Sequence, residues 1–208
     1  MKTIVITGAS GSGKSYLSNK LSKLFYNSIV INTDSYYRDN ILIKFLSKFL
    51  YDIYDRPMSF KKNEIKKTLR SLHDKDRLIS FFKYDFKLKQ SSKSMISLNY
   101  DLDSQFIILE GIFAHRLDLN YQETINIVCE EAKEICFKRR LLRDQLDRGR
   151  SNSEVFKKFN RSWYLFNKNI KNYKDNNKVI CINASNNVSY KKLVLNLQNI
   201  SNKNNQKK

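Results

Sequence analysis

The segment Lys2–Thr7 (KTIVIT) is β-branched and apolar and runs into Gly8, which predicts a buried strand. Leu17, Leu21 and Leu24 then recur at helical spacing through Lys14–Phe25. Ser28–Asn32 (SIVIN), Phe106–Leu109 (FIIL), Ile125–Cys129 (INIVC) and Val179–Ile182 (VICI) read as further short strands. Between them the pattern turns helical. Ser59–Leu72 carries Phe60, Ile65, Leu69 and Leu72 among lysines, and Glu130–Arg148 is a long charged helix stopped by Gly149. Val155–Tyr173 is aromatic-rich and Tyr190–Ile200 is a terminal helix. The basic amphipathic stretch Ile41–Leu50 is expected to pack over the sheet rather than lie on a membrane surface. Strands alternating with helices predict an α/β fold with a parallel sheet flanked by helices. No linker or repeat divides the chain, so residues 1–200 are expected to form one domain, with residues 201–208 (SNKNNQKK) a frayed tail.

Composition narrows the class. The 208 residues are 41% hydrophobic and 12% aromatic, enough to bury a core and too apolar for a disordered protein. No apolar run reaches 18 residues, so no transmembrane helix is expected. The apolar run at the N-terminus is too short for a secretory signal. Cys129, Cys136 and Cys181 form no CxxC pair and are expected to be free thiols in a reducing cytoplasm. The net charge of +19 suits a polyanionic partner. Yet 28 of the 39 basic residues are lysines scattered along the chain, and asparagine reaches 23. That bias fits an AT-rich coding sequence equally well, so a specific nucleic-acid partner is not expected.

The chemistry concentrates first at Gly8-Ala9-Ser10-Gly11-Ser12-Gly13-Lys14-Ser15, which matches GxxxxGK[ST]. The motif follows a predicted strand and opens a predicted helix, the context it requires. Its backbone N–H groups and the helix N-terminus cradle phosphate oxygens. Lys14 reaches the β/γ-phosphates and the Ser15 hydroxyl serves Mg²⁺. The loop Gly8–Ser15, with Tyr16 behind it, is therefore the expected nucleotide site. An ordinary glycine turn is the alternative.

Carboxylates at other strand ends supply candidates for the second substrate. Asp34 follows the second strand in Thr33-Asp34-Ser35-Tyr36-Tyr37-Arg38. Ligands of parallel sheets sit at the carboxyl ends of strands. Asp34 is thus placed to accept a proton from an attacking hydroxyl, or merely to cap a helix. Glu110 ends the FIIL strand, where an acid would hold a metal-bound water. Asp55-Arg56-Pro57 reads equally as a turn, and Tyr84-Asp85-Phe86 as part of a strand.

Arginine is scarce, yet five of the 11 fall within residues 139–150: Arg139, Arg140, Arg143, Arg148 and Arg150. Helical spacing lets Arg143 pair with Asp147. Guanidinium forks suit phosphate oxygens, and on a lid over about residues 139–158 they would stabilise transferred charge. A solvated charged face and an RNA-binding stripe are the alternatives.

Taken together these blocks resemble the uridine/cytidine kinase family, related to phosphoribulokinase. GASGSGKS (8–15), TDSYYR (33–38), YDRPMSF (54–60), KYDFKLK (83–89), FIILEGIF (106–113) and RRLLRDQLDRGR (139–150) occur in family order. The resemblance implies a P-loop nucleoside triphosphate hydrolase fold with a small substrate-side hairpin and an arginine-rich lid. It implies ATP and Mg²⁺ as cofactors, a nucleoside as small-molecule substrate, and a homo-oligomer. By resemblance Asp34 is the general base and Asp55 binds ribose hydroxyls. Tyr37, Tyr84, Phe86 and the residue at 89 line the nucleoside pocket. Arg140 and Arg150 reach the substrate side, while Lys14, Arg143 and Arg148 reach the phosphates. Ser15 and Glu110 serve Mg²⁺.

Two positions depart from the family. Lys89 stands where the family has a histidine reading the pyrimidine, and Lys158 falls near a lid-proximal glutamine. A lysine presents donors only, so the base edge is read differently. The expected activity is ATP-dependent phosphorylation of the ribose 5′-hydroxyl of uridine, with cytidine as a further acceptor. A kinase of the same fold acting on a sugar phosphate is the first alternative. A basic nucleic-acid-binding or regulatory protein that keeps a P-loop is the second.

Overall fold

The computed structural model describes residues 1–39, 45, 59–85, 88, 90–100, 106–117, 119 and 124–205. Asp55, Phe86 and Lys89 lie outside the described residues, as does the Ile41–Leu50 stretch apart from Phe45.

Five strands form one parallel sheet: β1 (Lys2–Gly8), β2 (Ile29–Asn32), β5 (Phe106–Glu110), β6 (Ile125–Cys129) and β7 (Val179–Ile182). Their spatial order is β2-β5-β1-β6-β7. Alternation along each strand sends side chains to opposite faces. Ile4, Ile6, Phe106 and Ile108 pack on one side with Leu17 and Leu21 of α1 (Lys14–Leu24) and with Leu193 and Leu197 of α5 (Asn187–Asn205). Val5, Ile107 and Leu109 pack on the other with Ile65, Leu69 and Leu72 of α2 (Lys62–His73). Both faces are covered, which is why the strand segments read as continuous apolar runs.

A separate two-stranded antiparallel hairpin, β3 (Leu78–Asp85) and β4 (Gln90–Ser97), pairs from Leu78↔Ser97 to Asp85↔Gln90. It docks through Ile79, which joins the α2 side of the core, and through Phe82, whose ring lies 5.2 Å from that of Tyr36. The remaining helices, α3 (Lys133–Arg148) and α4 (Asn152–Asn176), are consecutive and packed together.

Several boundaries differ from expectation for local reasons. Helix α3 begins at Lys133 because the Glu130 N–H bonds to the Ile182 carbonyl (2.9 Å) and prolongs the sheet edge. Helix α2 begins at Lys62 because Phe60 is held in a bridge with Tyr37. The Ser151 hydroxyl accepts from the Glu154 N–H and starts α4 at Asn152. Helix α5 runs to Asn205 with Ser201 buried, so the segment expected to fray continues the terminal helix through most of its length.

Candidate active site

Parallel register brings the strand ends together. Glu110 stands beside Ile6 of β1 and Asn32 of β2, and Gly8 stands beside Cys129 of β6. The loop after β1, the turn after β2 and the end of β5 therefore share one edge of the sheet.

The loop after β1 has the backbone that its glycines predict. Gly11 and Gly13 adopt φ of 88° and 91°, values that L side chains rarely hold. A Cβ on Gly13 would also sit 2.9 Å from Ala184. Helix α1 opens directly on Lys14, and the Leu17 N–H already bonds to the Gly13 carbonyl (2.9 Å), so the unpaired N–H groups of the first turn face the loop. Lys14 Nζ donates to the Ala9 carbonyl (3.0 Å), folding its ammonium over the loop. The Ser12 hydroxyl is buried and has no hydrogen-bond partner among the described residues, which fits a site completed by an acceptor-rich ligand. Tyr16 is 53% exposed, and Lys20 Nζ lies 4.9 Å from the centre of its ring.

Ser15 Oγ donates to both carboxylate oxygens of Glu110, at 3.2 and 3.0 Å. Glu110 is nearly fully buried. Burial raises its pKa above the usual carboxylate range, Lys14 opposes this, and Asp34 adds to it. A hydroxyl and a carboxylate form the oxygen donor set that suits Mg²⁺ shared with a polyphosphate, so these two residues fit that ion.

Asp34 lies in the 3₁₀ turn Thr33–Tyr36 after β2. It does not cap that turn. Asn32 does, its Oδ1 accepting from the Asp34 N–H at 2.8 Å, and this leaves the Asp34 carboxylate unspent. Its Oδ1 is buried and has no hydrogen-bond partner among the described residues. Burial pushes the carboxyl pKa up, against the opposing charges of Lys14, Arg143, Arg148 and Arg140. The charges of the P-loop lysine and of three arginines of α3 thus all act on this one carboxylate.

The arginines are organised by a residue that sequence reading passed over. Asp144 is fully buried and receives Arg143 (2.9 Å), Arg150 (2.8 Å), Arg148 (3.5 Å) and Arg140 (3.5 Å). Burial works against ionisation here, but the charges of Arg143, Arg148 and Arg140 hold the Asp144 pKa low. The pairing expected between Arg143 and Asp147 is replaced by Arg143 with Asp144. A stripe signal existed: Asp144 lies four residues from both Arg140 and Arg148 on the helix. Arg143 Nη2 also reaches Ser10 Oγ (3.2 Å), and Arg139 Nη1 donates to the Gly11 carbonyl (3.2 Å). The expected lid is therefore the junction of α3 and α4, in contact with the phosphate loop. Arg140 is nearly buried, with Nη1 2.5 Å from Ser162 Oγ on α4.

On the hairpin side Tyr37 stacks on Phe60 at 4.5 Å and meets Tyr84 edge-on at 5.4 Å. These rings share a cluster with Ala9 of the phosphate loop and Ile112 after β5. Two of the pocket residues expected from resemblance are thereby joined, and Phe60 is added to them. Both histidines are used elsewhere: His73 bonds to Thr3 Oγ1 and His115 Nδ1 to Thr7 Oγ1, each at 2.9 Å. Burial pushes the Cys129 and Cys136 thiols up to about 12 and about 11, so neither is a nucleophile at neutral pH. Among the described residues no helix is long and apolar enough to cross a membrane.

Residues 3–189 match the Phosphoribulokinase / Uridine kinase family. The chain belongs to that family. Like its members it is a kinase, a phosphotransferase acting on an alcohol acceptor. It is 35% identical over 156 residues to a protein named uridine kinase from Ureaplasma parvum serovar 3, covering 73% of each chain. It is 30% identical over 181 residues to a uridine kinase from Borrelia turicatae, covering 84% of each. Among solved structures, YFH7 from Saccharomyces cerevisiae superposes with a TM-score of 0.60 at 11% identity, over 87% of this chain and 92% of that one. The D-glycerate 3-kinase of Cryptococcus neoformans gives 0.57 at 13% identity, over 88% and 86%. At those identities the likeness concerns the P-loop kinase fold alone.

Proposed function

We propose that the protein transfers the γ-phosphoryl group of ATP to the ribose 5′-hydroxyl of uridine. The observation that carries this reading is Asp34: a carboxylate whose Oδ1 is buried and has no hydrogen-bond partner among the described residues, and on which the charges of the P-loop lysine and the arginines of α3 act.

Lys14 and the N–H groups of the loop hold the β- and γ-phosphates. Ser15 and Glu110 would hold Mg²⁺, which when bound neutralises charge on the transferring group. The acceptor hydroxyl enters from the hairpin side, where Tyr37, Phe60 and Tyr84 form an aromatic wall. Asp34 Oδ1 takes its proton as the new O–P bond forms and the bond between the γ-phosphorus and the β–γ bridging oxygen breaks. Arg143 and Arg148 meet the charge that develops on the phosphoryl oxygens. Asp55 binding the ribose hydroxyls, and Phe86 and Lys89 facing the base, complete the reading.

The names of the 30–35% identical relatives support uridine as acceptor. Lys89 in place of a histidine favours a base that offers a carbonyl oxygen over one that offers an amine. We therefore expect kcat/KM for uridine to exceed that for cytidine, and Lys89→His to narrow the ratio. The test is ³¹P-detected product formation from ATP or GTP over a panel of nucleosides and sugar phosphates. UMP formation supports the reading. Turnover of a sugar phosphate with none of either nucleoside replaces it with a kinase of the same fold and another acceptor.

A further inference from the structure

Asp144 has a place in the fold that the preceding roles do not explain. Its side chain is fully buried in α3, yet it is bracketed by cations on every side that α3 and the turn beyond can supply. Arg140 and Arg148 stand one turn before and after it. Arg143 binds Oδ1 through both Nε (3.1 Å) and Nη2 (2.9 Å). Arg150 lies past the helix end, where Gly149 takes a left-handed φ of 61°. That turn winds the chain back, so Arg150 meets Asp144 twice: its N–H bonds to the Asp144 carbonyl (3.2 Å) and its Nη1 to Oδ2 (2.8 Å).

One carboxylate cannot satisfy four guanidiniums, each of which carries five N–H donors. Asp144 therefore engages only part of each arginine's donor set: Arg140 also gives Nη1 to Ser162 Oγ on α4, and Arg143 extends beyond Asp144. Arg143 shows the direction, since the same Nη2 that binds Asp144 also reaches Ser10 Oγ of the phosphate loop. Exposure grades outward in the same sense, from 0% for the Asp144 side chain to 21% for Arg148, 23% for Arg150 and 43% for Arg143. Without a central anion, four like charges in so small a space would turn apart into solvent.

We propose that Asp144 is the positioning residue of the phosphate-binding lid: its carboxylate holds Arg140, Arg143, Arg148 and Arg150 as one array against the phosphate loop. It touches neither substrate and acts through the arginines. The proposal rests on the phosphotransfer reading above. It predicts that Asp144 matters most where the transferred charge is greatest, at the transition state, and little for holding the acceptor.

The experiment compares wild type with Asp144→Asn, Arg143→Ala and the double variant, on whichever acceptor of the panel the wild type phosphorylates. Asp144→Asn keeps the shape of the side chain but removes its charge and turns an amide toward a guanidinium. We expect kcat to fall roughly 10- to 100-fold with KM for the acceptor within threefold, in a protein whose circular dichroism is unchanged. The loss in the double variant should be smaller than the product of the two single losses, because one substitution works through the other. Asp144→Glu, which keeps the charge one methylene further out, should recover part of kcat and serves where the Asn variant does not fold. A kcat within threefold of wild type, or losses that multiply fully, overturns the proposal. So does failure of both the Asn and Glu variants to fold, which would make Asp144 a residue of the fold alone. Silence of the wild type toward uridine with turnover of another acceptor overturns the acceptor reading only.

Discussion

Ser15 Oγ lies 3.0 Å from one carboxylate oxygen of Glu110 and 3.2 Å from the other, so the first turn of α1 is tied to the end of β5 across the sheet edge. Both residues offer oxygen ligands, and among the described residues neither side chain has another hydrogen bond. Replacing the carboxylate by an amide removes the charge that attracts a hard cation. Glu110→Gln should therefore raise the Mg²⁺ concentration for half-maximal rate by about tenfold, the order seen when a metal-site partner is lost. A Mg²⁺ titration of the initial rate checks this, and an unchanged midpoint refutes a metal role for Glu110.

Lys14 makes its hydrogen bond to the Ala9 carbonyl of its own loop and belongs to none of the three apolar clusters. Lys14→Ala should abolish turnover while moving the melting temperature by no more than a few degrees. Turnover close to wild type would remove the P-loop from the mechanism.

The aromatic wall makes a different prediction. Phe60 stacks on Tyr37 and meets Phe113 edge-on at 6.0 Å. Phe60→Leu keeps an apolar side chain but loses ring contacts, each of order 0.5–1.5 kcal/mol. KM for the acceptor should rise roughly tenfold, with KM for ATP within a factor of two. Equal changes in both would mean that the wall supports the fold rather than the acceptor.

The two aspartates respond to pH in opposite senses. Asp34 has a folded pKa above its unfolded value of 3.8, chiefly from burial. Its contribution to stability is present below the unfolded pKa and is lost as pH rises through the folded one. Asp34→Asn should therefore melt higher than wild type at pH 7, with the gap closing toward pH 4. Asp144 has a folded pKa below 3.8. Its contribution is complete above that value and is lost only as pH falls through the folded one, so Asp144→Asn should melt lower than wild type at pH 7. Thermal melts from pH 4 to 8 separate the two, and the same sign for both variants at pH 7 contradicts the assignment.

The sheet and the phosphate loop were legible because their signals are local. Ile4, Ile6 and Val5 announce a strand covered on both faces, and Gly11 and Gly13 announce a backbone that only glycine takes easily. The hairpin was less so, since β4 reads Gln-Ser-Ser-Lys-Ser-Met-Ile-Ser and leaves nearly all of these residues exposed. Its pairing comes from β3, not from an apolar pattern of its own. The Asp34 role was ambiguous in sequence because an aspartate after a strand caps a turn as readily as it takes a proton; the Asn32 cap removes the first of these readings. Asp144 is hard to single out in sequence because Asp147 also stands at i,i+4 from Arg143. Asp144 is the buried carboxylate that pairs with Arg140, Arg143 and Arg148, a pattern that shows only when the helix faces are drawn.

The most direct test is the rate of phosphoryl transfer from Mg-ATP to uridine by Asp34→Asn, measured beside the affinity of that variant for ATP. A general base is worth roughly 10²–10⁴-fold, so kcat should fall by that factor while ATP binding stays within about threefold of wild type. A kcat within a factor of two of wild type would show that the Asp34 carboxylate is not the base and would contradict its role at this site.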